Sequence, residues 1–252
     1  MEKIKQNIVN FIKNYVETSG ANGVILGMSG GKDSFIAAAL CKEALGKDKV
    51  FGLIMPNGLM TDLSVAKEEC EYLEINHKVF DIHNLYEEVE TGSKNILETQ
   101  TLTSLSTINL APRLRMTMLY TVGGTLGYLV VGTSNLSETM IGYTTKWGDT
   151  VGDFCPLAGL TKTEVCALGD HMGLPAKFVF KKPDDGLSGK TDEEKIGFSY
   201  DELDDFIRNG NKGPNFDKII HMHKVSAHKR NLPTKCEHGL QNYFYIDKKG
   251  QV

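Results

Sequence analysis

Gly23-Val24-Ile25-Leu26-Gly27-Met28-Ser29-Gly30-Gly31-Lys32-Asp33-Ser34 is the stretch whose reading decides the fold. Gly23 to Leu26 is a short apolar run of strand character, and Phe35-Ile36-Ala37-Ala38-Ala39-Leu40, continuing to Leu45, is built of good helix formers. A glycine-rich turn between strand and helix is therefore predicted. Such a turn points several backbone N–H groups at one spot, and the positive end of the helix dipole lies at the same place, so its natural ligand is a phosphate. Two common phosphate loops fail on spacing. Only Met28, Ser29 and Gly30 separate Gly27 from Gly31, and Asp33 stands after Lys32 where a Walker loop needs Ser or Thr. Gly27, Gly30 and Gly31 do not match G-x-G-x-x-G either.

What fits is S-G-G-x-D-S, and here the chain resembles the ATP pyrophosphatases, which split ATP between its α and β phosphates and adenylate a substrate. That resemblance implies that Ser29, Ser34 and the glycine amides grip pyrophosphate while Asp33 binds magnesium.

Composition narrows the frame. At 252 residues and 40% hydrophobic, the sequence suits one large α/β domain with a sizeable core. A net charge of −4 gives no chain-wide basic field for nucleic acid. The five cysteines, at 41, 70, 155, 166 and 236, form no C-x-x-C pair, and their odd number argues for reduced thiols in the cytoplasm. Ile4, Ile8, Ile12, Tyr15 and Val16 recur at helical spacing, so the N-terminus reads as an amphipathic helix and not a signal peptide. No apolar run approaches the length of a membrane span.

Along the chain, Val50 to Met55 reads as a second strand stopped by Pro56 and Asn57-Gly58, with Thr61 or Asp62 capping a helix to about Ile75. Lys78 to Ile82 is a third strand. Thr91 to Thr107, rich in Ser, Thr and Asn, is expected as a mobile connection, followed by a long helix from Ile108 to Leu126. Tyr128 to Gly132 is a strand that runs into the polar cluster Thr133 to Glu138, at the strand end where open parallel sheets place ligands. Lys162 to Met172, Tyr200 to Ile207 and Asn215 to Lys229 read as helices, and Lys181 to Glu194 as a mobile loop. Strands alternating with helices predict a doubly wound, Rossmann-like parallel sheet of about five strands.

Five motifs in order, G-M-S-G-G-K-D-S, N-L-A-P-R-L-R-M, G-T-S-N-L-S-E, G-Y-T-T-K-W-G-D and G-L-T-K, closely resemble the ammonia-dependent NAD synthetases from about Asn7 to Pro233. The resemblance implies a cytoplasmic homodimer that makes NAD from deamido-NAD, ATP, magnesium and ammonia. It assigns Gly27, Met28, Ser29, Gly30, Gly31, Lys32, Asp33 and Ser34 to ATP, together with Thr133 and Lys162. Asp33 and Glu138 become magnesium ligands, and Arg113, Lys146, Asp153, His228 and Lys229 contact deamido-NAD. Hard carboxylate oxygens suit magnesium and cations suit phosphates. Leu53 and Met55, at a strand end, offer adenine an apolar bed. Asp184 stands where relatives often carry a Thr or Ser that contacts ATP, and Lys32 fills the variable position of the loop. Asp33, Glu138 and Lys162 are the expected catalytic residues, with Asp153 receiving or orienting ammonium.

Rival readings are weaker. The chain lacks the paired cysteines or basic appendage of tRNA-thiolating relatives. No glutaminase region is evident and Glu2, not cysteine, follows Met1, which points to free ammonia and a single domain over residues 1–252. A nucleotide-sensing module would have no need of Glu138, Lys146, Asp153 and Lys162 together. His221 and His223 cannot share one helix face, and Cys236 with His238 lacks a second ligand pair, so neither suggests a metal centre. The acidic run Asp201 to Asp205 reads most simply as solvated helix surface, whereas Arg115 is left open between a functional role and the solvated side of its helix.

Overall fold

The computed structural model describes residues 1–58, 62–181 and 191–234. Helix α1 (Glu2–Ser19) buries Val9, Ile12 and Val16 on one face and stops at Gly20 in the left-handed conformation. Strand β1 (Gly23–Gly27) leads through the glycine-rich loop into α2 (Lys32–Leu45), a core helix buried continuously from Ser34 to Cys41. Strand β2 (Val50–Ile54), α3 (Leu63–Leu73), β3 (Asn76–Val79), α4 (His83–Ile96), α5 (Ser104–Leu126) and β4 (Tyr128–Val130) complete the alternation.

All four strands are parallel, in the order β3-β2-β1-β4. The chain winds outward from β1 through β2 to β3 and then returns to β1's other side, which makes the junction of β1 and β4 the topological switch point. Side chains alternate across the sheet. Val24 and Leu26 enter the core beneath α1, α2 and α3, while Ile25 enters a second core with Leu53, Met55, Met116, Leu119 and Val130 under α5.

Beyond β4 the chain builds short helices: α6 (Leu136–Ile141), α7 (Lys162–His171), α8 (Ala176–Val179), α9 (Asp192–Ile196), α10 (Tyr200–Asn209), α11 (Phe216–Val225) and α12 (Ala227–Arg230). A third cluster of Ile141, Ile196, Phe198, Tyr200, Leu203 and Ile219 seats α10 against α6, α9 and α11. No described helix is long and apolar enough to cross a membrane.

Several expectations shift. Among the described residues the sheet has four strands, close to the about five expected, and past β4 Val131 pairs as a single parallel bridge with Phe154. The third strand starts at Asn76 and ends at Val79, because Asp81 accepts hydrogen bonds from the Gly58 and His83 N–H groups and turns the chain into α4. The connection expected over Thr91 to Thr107 is mostly helix: α4 runs to Ile96, and the Thr103 side chain caps a new start at Ser104. Of the loop expected over Lys181 to Glu194, residues 182–190 lie outside the described residues, and the remainder opens α9 with a Thr191/Glu194 capping box. Ser226 divides the last predicted helix, its hydroxyl bonding back to Met222 O.

Candidate active site

The loop's shape is set from behind. Gly30 has φ +74°, and a Cβ on it would lie 2.8 Å from the Asp62 carbonyl oxygen, so only glycine fits there. Gly31, at the N-cap of α2, supplies no side-chain cap, which leaves the first-turn amides open to an anion. Ser34 Oγ donates to Gly31 O at 2.9 Å and lies 3.1 Å from Ser29 Oγ, so both hydroxyls already converge. Met28 is buried, and its N–H donates to Leu53 O. Lys32 turns away toward α7, its Nζ 3.7 Å from Cys166 Sγ.

In front of the loop lies a cavity of about 370 Å³ at the β1/β4 switch point. Its walls include Gly27, Ser29, Ser34, Leu53, Met55, Arg115, Thr133 and Asp149. Asp33 and Glu138 also line it, brought together from α2 and α6. Lys162, the first residue of α7 and nearly buried, donates from Nζ to Asp33 Oδ2 at 2.8 Å and to Glu138 Oε1 at 2.6 Å. Burial alone would lower the Lys162 ammonium, but the two carboxylates outweigh it and hold it well above the usual lysine range. Burial raises the Glu138 carboxyl, and Lys162 pulls it partly back. One ammonium thus holds both carboxylates in place.

Residues that sequence reasoning passed over hold this trio. Asn135, fully buried, caps α6 by accepting the Glu138 N–H at 3.0 Å, and its Nδ2 donates to Asp33 Oδ1 at 3.2 Å. The N-L-S-E spacing was a readable capping signal. Asp204, in the acidic run expected to face solvent, is buried instead, because it receives the Ser137 hydroxyl and both the N–H and hydroxyl of Thr163. Arg115, not Arg113, points into the cavity: its Nε donates to Met55 O at 2.9 Å, and burial lowers its pKa against the pull of Asp149.

Of the residues expected on deamido-NAD, Arg113 and Lys229 meet the segment from Gly142 to Asp153, which contains Lys146 and Asp153. Arg113, exposed on α5, donates to Lys146 O at 3.2 Å, and Lys146 Nζ lies 5.4 Å from the centre of the Trp147 ring. Lys229 Nζ donates to Gly142 O and Thr144 O at 2.7 and 2.6 Å. His228 is exposed on α12. The Asp153 carboxylate accepts the Val130 N–H at 2.7 Å and the Tyr120 hydroxyl at 3.4 Å; it ties the segment to the β4 edge and does not line the cavity. Asp184, Cys236 and His238 lie outside the described residues. Among the described residues no three His, Cys, Asp or Glu side chains form a group able to hold a metal ion, and His223 Nδ1 lies 2.8 Å from Met140 O.

Comparison with known proteins gives this geometry a context. The family model described as NAD synthase matches residues 4–238. The NH(3)-dependent NAD(+) synthetase of Archaeoglobus fulgidus is 39% identical, with 92% of this chain and 95% of that protein covered. The protein of the same name from Methanocaldococcus jannaschii is 38% identical over 94% and 97% of the two chains. Among solved structures, an NMN synthetase from Francisella tularensis superposes with a TM-score of 0.86 at 32% identity, covering 94% of this chain and 98% of that one. An NH3-dependent NAD synthetase from Campylobacter jejuni superposes with a TM-score of 0.76 at 31% identity, with 94% and 99% covered.

Proposed function

The chain belongs to the NAD synthase family, and from that premise we propose that it is an ammonia-dependent NAD synthetase acting on deamido-NAD and ATP. The observation that carries this reading is the convergence of Asp33, Glu138 and Lys162 beside an S-G-G-x-D-S loop at the mouth of a nucleotide-sized cavity. A nicotinate carboxylate is a poor acyl donor. Its oxygen attacks the α-phosphorus of ATP; an O–P bond forms, the α–β bridge breaks and pyrophosphate leaves. Ammonia then attacks the acyl-adenylate carbonyl, a C–N bond forms, AMP departs and nitrogen gives up a proton. No side-chain nucleophile is required.

The chain's own groups do the positioning. The amides of Gly30 and Gly31 with Ser29 and Ser34 take the pyrophosphate, Thr133 closes on the nucleotide, and Leu53 and Met55 bed the adenine. Lys162 keeps its proton and spreads the charge that gathers on the leaving group. Arg113, Lys146, His228 and Lys229 receive deamido-NAD, and Asp153 holds the far end of that segment in place. Asp33 and Glu138 suit magnesium, since both already reach one cation and this metal takes one or two carboxylates with substrate phosphates and water. When bound there, the metal would neutralise phosphate charge.

We take the working form to be a cytoplasmic homodimer. Leu105 and Ile108 on α5 are 73% and 70% exposed, and Leu85 and Val89 on α4 are also open, an apolar surface suited to a second copy.

A second reading keeps the chemistry and changes the acceptor, because the Francisella NMN synthetase matches the fold closely. One incubation separates them: the protein with ATP, magnesium and ammonium, given deamido-NAD in one arm and nicotinate mononucleotide in the other. AMP, pyrophosphate and NAD from the first arm, well above NMN from the second, is the expected result. ADP in place of AMP, or no NAD, overturns it, and efficient use of glutamine overturns the nitrogen source.

A further inference from the structure

Helix α10 contributes nothing to the cavity wall, yet two of its side chains reach the base and the tip of Lys162. Tyr200 and Asp204 are four residues apart and so share one helix face. Both are 5% exposed. The ring of Tyr200 lies under the Lys162 ammonium, with Nζ 5.2 Å from the ring centre. Among the described residues its hydroxyl has no hydrogen-bond partner, and the contact is made by the aromatic face. Asp204 works at the other end of the same lysine. It accepts the Ser137 hydroxyl, and Ser137 Oγ accepts the Lys162 N–H at 2.9 Å. Its second oxygen takes the Thr163 N–H and hydroxyl, both at 2.8 Å. Ser137 directly precedes Glu138 and Thr163 directly follows Lys162, so one carboxylate stitches together the first turns of the two helices that carry the catalytic pair. A negative charge is well placed there, facing two helix N-termini.

We propose that Tyr200 and Asp204 are positioning residues for Lys162: the ring steers its ammonium toward Asp33 and Glu138, and the carboxylate fixes its backbone against that of Glu138. Lysine has four rotatable bonds and a strongly hydrated head, so an unsupported lysine would sample many positions beside the leaving group. An aromatic face attracts a desolvated ammonium without taking its hydrogen bonds, which leaves all three protons free for oxygens. The third core cluster makes this support rigid, because Tyr200 and Leu203 are packed with Ile141, Ile196, Phe198 and Ile219. The inference rests on the catalytic reading of Lys162 given above.

The test compares Tyr200→Phe, Tyr200→Leu and Asp204→Asn, each alone and in a Lys162→Met background, by single-turnover and steady-state rates in the full-length protein. Tyr200→Phe keeps the ring and should stay within about twofold of wild type. Tyr200→Leu and Asp204→Asn should each lower kcat by about tenfold while KM for ATP moves less than about threefold. In the Lys162→Met background Tyr200→Leu should add less than about twofold, since the ammonium that the ring steers is gone. Full additivity there, or a Tyr200→Leu rate equal to wild type, overturns the proposal. A Tyr200→Phe loss as large as that of Tyr200→Leu also overturns it, since the phenol would then touch reactants directly. If Asp204→Asn does not fold, Ser137→Ala breaks the same link, and a wild-type rate in that variant refutes the role of Asp204. A wild-type protein that forms no NAD from deamido-NAD defeats the functional reading itself; one that does, with only Lys162→Met impaired, defeats the positioning proposal alone.

Discussion

Asn135 and Asp33 lie 102 residues apart in sequence and 3.2 Å apart in space, joined by a hydrogen bond from the Asn135 amide to Asp33 Oδ1. The same side chain caps the helix that carries Glu138. Asn135→Ala should therefore lose a cap and a buried tether together, at a cost of about 1–2 kcal/mol in a urea melt. Its turnover should fall as well, because Glu138 loses its anchor; unchanged stability and rate would contradict the role.

Asp33→Asn and Glu138→Gln should each abolish turnover while the fold survives, since each removes a charged ligand from the cation site. Circular dichroism checks the fold and AMP release checks the rate. Chelation by EDTA should silence the wild-type enzyme and added magnesium should restore it. Near-normal rates in either variant would refute its assignment.

Arg115 anchors the Met55 carbonyl beside the cavity. Arg115→Met leaves that oxygen without its partner, a loss of about 1–3 kcal/mol in a urea melt, and KM for ATP should rise because the strand end that beds the adenine is no longer held. Arg113→Met, at the exposed position, should raise KM for deamido-NAD in preference to ATP. Equal effects of the two variants on both substrates would show that the helix does not divide the sites.

Glu69 on α3 is fully buried, and among the described residues neither carboxylate oxygen has a hydrogen-bond partner. Burial, offset in part by Lys181, pushes its carboxyl up to about 8. The ordinary value is 4.5, so between these two the folded chain holds a proton that the unfolded chain has released. Stability from this group is thus present below the lower value and lost as pH rises toward the upper one, at about 1.4 kcal/mol per unit. Glu69→Gln should match wild type near the acid end and gain over it with rising pH until about 8, in urea midpoints taken across that range. Parallel profiles would refute the account.

Ile108→Glu places a charge on the apolar surface of α5 and should convert a dimer to monomers in light scattering. A wild-type monomer at working concentration would remove the homodimer from the reading.

The sequence was most legible where chemistry is contiguous. The loop at Gly27 to Ser34 announces strand, turn and helix within one stretch, and the structure has them in that order. The resemblance singled out Arg113 but could not place Arg115, because two residues along a helix turn a side chain to nearly the opposite face and only packing decides which face meets the cavity. Asp204 was hidden in a run of acidic residues, since burial there depends on Ser137 and Thr163, distant in sequence. The Ser- and Thr-rich character of residues 91–107 concealed helix because those side chains also cap and bond back to the backbone. Thr103 does the former and Thr107, bonding to Ser104 O, the latter.

The clash that forbids a side chain at Gly30 comes from Asp62 and Ala66 of the neighbouring βα unit, not from any nucleotide. Asp62 in turn holds Lys181 Nζ at 2.6 Å, and that ammonium reaches back to Gly30 O at 3.0 Å. The eight-residue signature is thus not a portable part. Grafted onto another strand and helix without the start of α3 behind it, the glycine would regain its freedom and the converging amides would disperse; transplantation has to carry the supporting wall along with the motif.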